Sequence, residues 1–280
     1  GWVADLTEFA ANDAQWNLDD WQPGPMGTVT SGEVLFGLPI VTERQALYYR
    51  KDLLEEAGLE VPQTLDDLAA AVETLHDPDN GLYGIVLRGQ RSAAVTQFSS
   101  FLYSFGGGWF DEEGNSTVSE PEAIQAYQYY GDMLRNYGPP GTLNMSWPQA
   151  IAVFAQGQAA FYLDADILYT NVTNPETSLV VDQVGFAPFP EGPAGRRPYS
   201  VTSWAVGMNS ESENKDAAWE FIRWATSPQI VATMQSEFGQ SGARASVWAS
   251  PEGLGGFPED LANAIVVNGE TGVGFDRPRV

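Results

Sequence analysis

The chain has 280 residues, with 37 acidic against 13 basic, no cysteine and a single histidine, His76, for a formal net charge of −24. Such a charge repels nucleic acid and anionic membranes. No apolar run reaches the roughly 18 residues of a membrane helix, and disulfide, thiol and His-rich metal chemistry are excluded. Lys51 and Lys215 are the only lysines. A surface this acidic belongs to an ordinary secreted protein or to one adapted to high salt, where the Debye length shrinks to about 3 Å at 1 M. The scarcity of lysine favours the second.

Val3, Leu6, Phe9 and Ala10 share one face of a predicted helix over residues 2–10. Residues 17–31, with Pro23, Gly24, Pro25 and Gly27, read as loop. From Gly37 to Tyr49 a run rich in Val, Ile and Tyr predicts a buried strand. After Lys51 the apolar positions Leu53, Leu54 and Ala57 take helical spacing, and Gly58 supplies a stop. Thr64 and Asp67 predict the start of a helix carrying Leu65, Leu68, Ala69, Val72 and Leu75. A turn at 77–81, a buried strand at 83–87 and an apolar helix at 93–105 follow. Next come a turn at 111–116, a long helix at 120–137 with Pro121 near its start, and a helix from Pro148 to about 156. Strands are predicted at 159–163, 184–187 and 200–208, and helices at 215–225, 228–238 and 259–267. Helices alternating with strands make the fold class α/β.

The strings GLPIVTERQALYYRKDLLEEAGLEVPQTLDDL, DPDNGLYGIVLRG, FLYSFGGGWFDEEGN, SWPQAIAVFAQGQAAFYLDA, VGFAPFPEGPAGRR, NKDAAWEFIRWATSPQ and SGARASVW succeed one another between residues 35 and 248. In this order they resemble the extracellular solute-binding proteins of carbohydrate ABC importers, the sugar-binding family with its sugar-alcohol members. The resemblance implies a two-lobed, periplasmic-binding-protein-like α/β fold with hinge strands between the lobes and one lobe incomplete. Crossings between lobes are expected near 41–44, 203–206 and 277–280. Residues 1–42 and 205–276 would form part of the first lobe, and 45–202 the second. The resemblance further implies an internal segment of a longer protein, lacking both ends, with an export signal and any lipid anchor outside it. The implied function is extracytoplasmic, in the periplasm or at the cell surface. A monomer would bind a small sugar or sugar alcohol in an interlobe cleft and deliver it to the permease subunits of an importer. No catalytic residue, cofactor, metal or nucleic acid is expected.

A sugar or polyol site needs aromatic faces for C–H surfaces and polar side chains for hydroxyl edges. Trp204, in TSWAVG at the second crossing, is a candidate stacking face, against a core role in its strand. Trp147 precedes a helix N-terminus, where it lines a site or staples the next turn. Trp109, after Gly106–Gly107–Gly108, is the weaker candidate and reads more readily as structure. Glu43 matches the family's hinge acid when the strand is anchored on LYYRKDLL, and otherwise is a solvated charge. Asp164 ends a strand and is read as a hydroxyl acceptor, with Asp166 as an N-cap. Ile167 stands where many family members carry a Trp. Arg244 is placed to bond a hydroxyl, to bridge the lobes or to form a surface salt bridge. Gln97 and Thr96, with Arg88 and Gln90, rank lower. Trp219, Phe221, Ile222 and Trp224 fall at core spacing and read as packing. The alternative function is a glycoside hydrolase, which needs two carboxylates about 5 to 9 Å apart. No acid here sits in a recognisable catalytic setting.

Overall fold

The structure is a computed structural model and describes residues 2–13 and 16–274. The third expected crossing, at 277–280, lies outside the described residues. The chain divides into two compact units. The first comprises residues 1–43 and 201–262; the second begins at Arg44, runs to Ser200 and resumes at Asn263.

The strands are β1 (Thr30–Ser31), β2 (Val34–Leu35), β3 (Leu38–Arg50), β4 (Tyr83–Val86), β5 (Ala159–Ala165), β6 (Val184–Pro188) and β7 (Ser200–Val206). β1 and β2 form a small hairpin, and the main sheet has the order β4-β5-β3-β6, with β7 also pairing β3. β3 is antiparallel to β5 and β6, and β4 is parallel to β5.

The second unit is built on the C-terminal half of β3. Ala46, Leu47 and Tyr48 are each fully buried, and β5 is buried along its whole length. Side chains alternate between the faces of a strand, so a run buried throughout requires cover on both faces. Leu47 clusters with Phe101, Phe161, Leu163 and Phe189 under the helices Leu65–Leu75, Arg91–Ser104 and Pro121–Asp132. Tyr48 packs instead against Phe154, Tyr162 and Phe186, with ring centroids 6.4, 5.3 and 5.1 Å away. Each such Leu or Phe contributes about 1.5–3 kcal/mol by burial. The helix Leu65–Leu75 starts as expected. Thr64 Oγ1 accepts the Asp67 N–H at 3.0 Å, and Asp67 Oδ2 accepts the Thr64 N–H at 2.9 Å. The long helix expected at 120–137 is α-helical only over Pro121–Asp132 and then widens into a π-turn, Met133–Tyr137.

In the first unit Leu6, Trp16, Trp21, Leu35, Leu38, Met208, Trp219 and Ile222 form the core. The helix expected over 2–10 is displaced to Thr7–Asn12, because Val3 bridges Asn209 and the Thr7 N–H is held by Asp5 Oδ1 at 2.8 Å. The expected loop at 17–31 contains a helix, Pro23–Val29. Pro23 sits at its first turn, where a missing N–H costs nothing. The helix Lys215–Ala225 corrects one further reading. Trp219 and Ile222 are buried, but Phe221 and Trp224 are each 57% exposed and pack on one another at 5.8 Å. The two pairs, each spaced i,i+3, occupy different faces of one helix.

The last helix, Glu259–Thr271, runs past the expected end at 267. The stretch 205–276, expected as one piece, changes units at Asn263. Asn268 accounts for this: its side chain accepts the Phe189 N–H and donates to the Gln45 carbonyl, both at 3.0 Å.

Candidate functional site

The predicted site residues fall into two kinds, those locked inside a unit and those presenting a surface. Asp164 is of the first kind. It is fully buried at the end of β5, and Arg88 grips both its oxygens, Nε donating to Oδ2 at 2.6 Å and Nη2 to Oδ1. Tyr162 Oη donates to Oδ2 at 2.6 Å and the Ala165 N–H to Oδ1 at 2.7 Å. Gln97, also fully buried, accepts the Arg88 N–H at 2.8 Å and the Tyr130 hydroxyl at 2.6 Å, and its amide donates to the Leu163 carbonyl and to Asp164 Oδ2. A carboxylate has about four acceptor positions, and five protein donors crowd them here. The reading of Asp164 as a ligand hydroxyl acceptor is therefore replaced by that of a charge-paired anchor joining β4, β5 and the helix Arg91–Ser104. Gln97 belongs to the same cluster. Burial, reinforced by the Asp164 charge, holds the Tyr130 and Tyr162 hydroxyls well above the ordinary tyrosine pKa.

Asp166 is not the expected cap. It is buried, accepts the Arg44 N–H at 3.2 Å and pairs with the Arg44 guanidinium at 3.7 Å. Burial depresses the Arg44 pKa, and Asp166 works against that shift. Arg244 is neither a surface salt bridge nor a link between lobes. It is 1% exposed within the first unit and donates to the carbonyls of Thr226 (3.0 Å), Trp16 (3.0 Å) and Asn17 (3.2 Å). Its guanidinium pairs with Asp20 at 3.4 Å and lies 4.1 Å from the centre of the Trp21 ring. Burial lowers its pKa as well, against the pull of Asp20.

Trp204 is of the second kind. The extended backbone of β7 holds it in the first unit with 61% of its surface open, and its Nε1–H donates to Glu43 Oε1 at 2.7 Å. Glu43 lies on the neighbouring β3, so the sheet brings the aromatic face and the acid together. Trp147, in the second unit, occupies the first position of the helix Trp147–Ala155 and is 41% exposed. Ser146 precedes it, its N–H held by Gln149 Oε1 at 3.1 Å. Trp109 is structural: its Nε1 donates to Ser99 Oγ at 2.9 Å and its ring meets Phe98 edge-on at 5.8 Å.

Sequence reasoning ranked Arg88 low and gave Tyr130 and Tyr162 no role. The available signal was the context of Asp164: an acid inside a wholly apolar strand must be met by a buried cation. A groove of about 670 Å³ in the second unit, lined by His76, Tyr83, Leu134, Pro139 and Leu143 among others, holds none of the predicted site residues.

Residues 1–232 match the model of the bacterial extracellular solute-binding protein family. The chain belongs to that family. It is similar to the mannitol-binding protein of Pseudomonas aeruginosa, with 34% identity over 231 residues, covering 81% of this chain and 52% of that protein. Among solved structures it resembles an ABC transporter solute-binding protein of Agrobacterium vitis with bound D-mannitol, at 30% identity and a TM-score of 0.83, covering 97% of this chain and 66% of that one. It also resembles one from Agrobacterium radiobacter in complex with ribitol, at 29% identity and a TM-score of 0.86, covering 100% of this chain and 71% of that one. The α/β fold class expected from the sequence is that of these structures. The chain spans about half the length of the curated relatives it matches.

Proposed function

We propose that this chain carries the binding surface of an extracytoplasmic solute-binding protein that captures a small sugar alcohol or sugar and hands it to the permease subunits of an ABC importer. The observation that carries the reading is Trp204. A 61% exposed indole, its N–H donating to Glu43, offers an apolar face to the C–H groups of a solute. The mannitol and ribitol found in the similar structures support a linear polyol over a long oligosaccharide. The protein acts as a monomer, without turnover, cofactor or metal. Hydrolysis of a glycoside would need two opposed carboxylates, and the acids at the end of β5, Asp164 and Asp166, are paired with Arg88 and Arg44 instead. Export, and attachment to the outer face of the membrane through a lipid, fit the same reading.

The test is titration of intrinsic tryptophan fluorescence with D-mannitol, ribitol and glucose, at low and at molar salt. A saturable change with one class, lost in Trp204→Ala and unaccompanied by product, is the expected result. A folded protein that responds to none of them refutes carbohydrate and polyol binding.

A further inference from the structure

Glu43 is the last residue of the first stretch of the first unit. The residue before it, Thr42, is held within the first unit: its N–H donates to the Ser241 carbonyl at 2.7 Å, and its hydroxyl lies 3.3 and 3.2 Å from the carbonyls of Ser241 and Gly242. The residue after it, Arg44, is held within the second unit by Asp166, through its N–H and its guanidinium. Thr42 and Arg44 are both buried, 1% and 3% exposed. The division between the units falls between Glu43 and Arg44. The carboxylate of Glu43 then takes the indole N–H of Trp204, a donor that would otherwise face water on a ring 61% exposed.

We propose that Glu43 is a positioning residue for Trp204, fixing the plane of the indole and tying that plane to the backbone of β3 where the chain passes from one unit to the other. The inference rests on the polyol-binding reading of Trp204. An exposed Trp samples several rotamers, and one strong, charge-assisted bond selects among them. The bond also occupies the indole's sole donor, so a solute meets the ring as a π face and not as a hydrogen-bonding edge. Locking a side chain in its binding rotamer raises affinity by removing an ordering cost that the ligand would otherwise meet.

The experiment follows the indole N–H resonances of the ¹⁵N-labelled protein, with that of Trp204 assigned by its loss in Trp204→Phe. Without ligand, Glu43→Ala is expected to shift the Trp204 resonance and speed its exchange with water about tenfold, the scale of one lost charge-assisted bond. Glu43→Gln keeps an acceptor oxygen and is expected to retain the resonance near its original position. With D-mannitol and ribitol as probes, Glu43→Ala weakens binding about tenfold, and Glu43→Gln recovers most of the loss. An unmoved Trp204 resonance in Glu43→Ala overturns the proposal. So does equal loss of affinity in both variants, which would make Glu43 a direct ligand contact. If the unaltered protein binds neither polyol, the functional reading fails, while the ligand-free spectra still decide whether Glu43 holds the indole.

Discussion

Asp164 shows how much of a predicted site is interior chemistry. Its pair with Arg88 is buried, so removing one partner strands the other's charge in a low-dielectric setting. Asp164→Ala is expected to lower stability by about 3–5 kcal/mol, read as a fall in the urea midpoint. The double variant Asp164→Leu with Arg88→Leu should lose less than the sum of the two single changes. A midpoint unmoved by Asp164→Ala would mean that the pair does not hold the unit together. The same cluster sets an alkaline limit. Tyr130 and Tyr162 have pKa values raised in the folded protein, by burial first and the Asp164 charge next. Their contribution is therefore complete below the unfolded tyrosine pKa of about 10 and is lost as pH rises past it, since the unfolded chain sheds the protons first. Tyrosinate absorbance from these two should appear together with unfolding and not before it. Early titration with the fold intact would contradict the geometry. At this scale the sequence singled out polar and aromatic residues without disclosing their partners. Trp204 and Glu43 stood out from their places in the motifs. Asp164, Gln97 and Arg244 stood out equally well, but whether a polar side chain faces solvent or a buried partner depends on residues distant in the chain, such as Arg88 for Asp164 and Thr226 and Trp16 for Arg244.

Helices and strands were legible where local chemistry decides them. Thr64 and Asp67 announce the helix Leu65–Leu75 because capping is a contest over four residues, settled by their side chains alone. Thr64→Ala is expected to cost about 1 kcal/mol, measured by thermal unfolding, with Thr64→Ser restoring most of it. The seam between this helix and β4 depends on a residue that sequence patterning passes over. A Cβ on Gly84 would overlap the Val72 carbonyl and its side chain. Gly84→Ala should therefore destabilise by about 1–3 kcal/mol through overpacking, more than Gly27→Ala, where an added Cβ meets nothing within 4 Å; a neutral outcome would show that helix and strand part easily. The helix Pro23–Val29 was hidden for the opposite reason. Its Pro and Gly content reads as loop, and contacts with other segments hold its two ends, the Gln22 N–H on the Ala243 carbonyl and the Phe36 N–H on the Val29 carbonyl, both at 2.9 Å. Phe221 and Trp224 likewise cannot be separated from Trp219 and Ile222 by apolar content, only by which face meets the core.

Over the whole molecule, the net charge of −24 dominates. Self-repulsion of that size destabilises a compact state and is relieved by screening. Raising salt from about 0.01 M to 1 M contracts the Debye length from about 30 to 3 Å, and the melting temperature should rise across that range. A melting temperature that falls or stays flat would mark the acidity as a solubility device and remove adaptation to salt from the account. The α/β class and the order of the family's motifs were readable at this scale because they are spread over some two hundred residues. The point at which the last helix changes units was not, since it turns on contacts with distant residues, among them Asn268 with Gln45 and Phe189 and the Val273 N–H with the Pro198 carbonyl.

The scarcity of lysine has a practical side. Lys51 is exposed in the second unit and Lys215 is exposed in the first. Within this sequence amine-directed dyes therefore find one lysine side chain on each unit, the α-amine of the chain being distinguished by its lower pKa, and no cysteine is present. A donor–acceptor pair placed on the two side chains would follow any change in their distance on adding a polyol, with no substitution made in this stretch of chain.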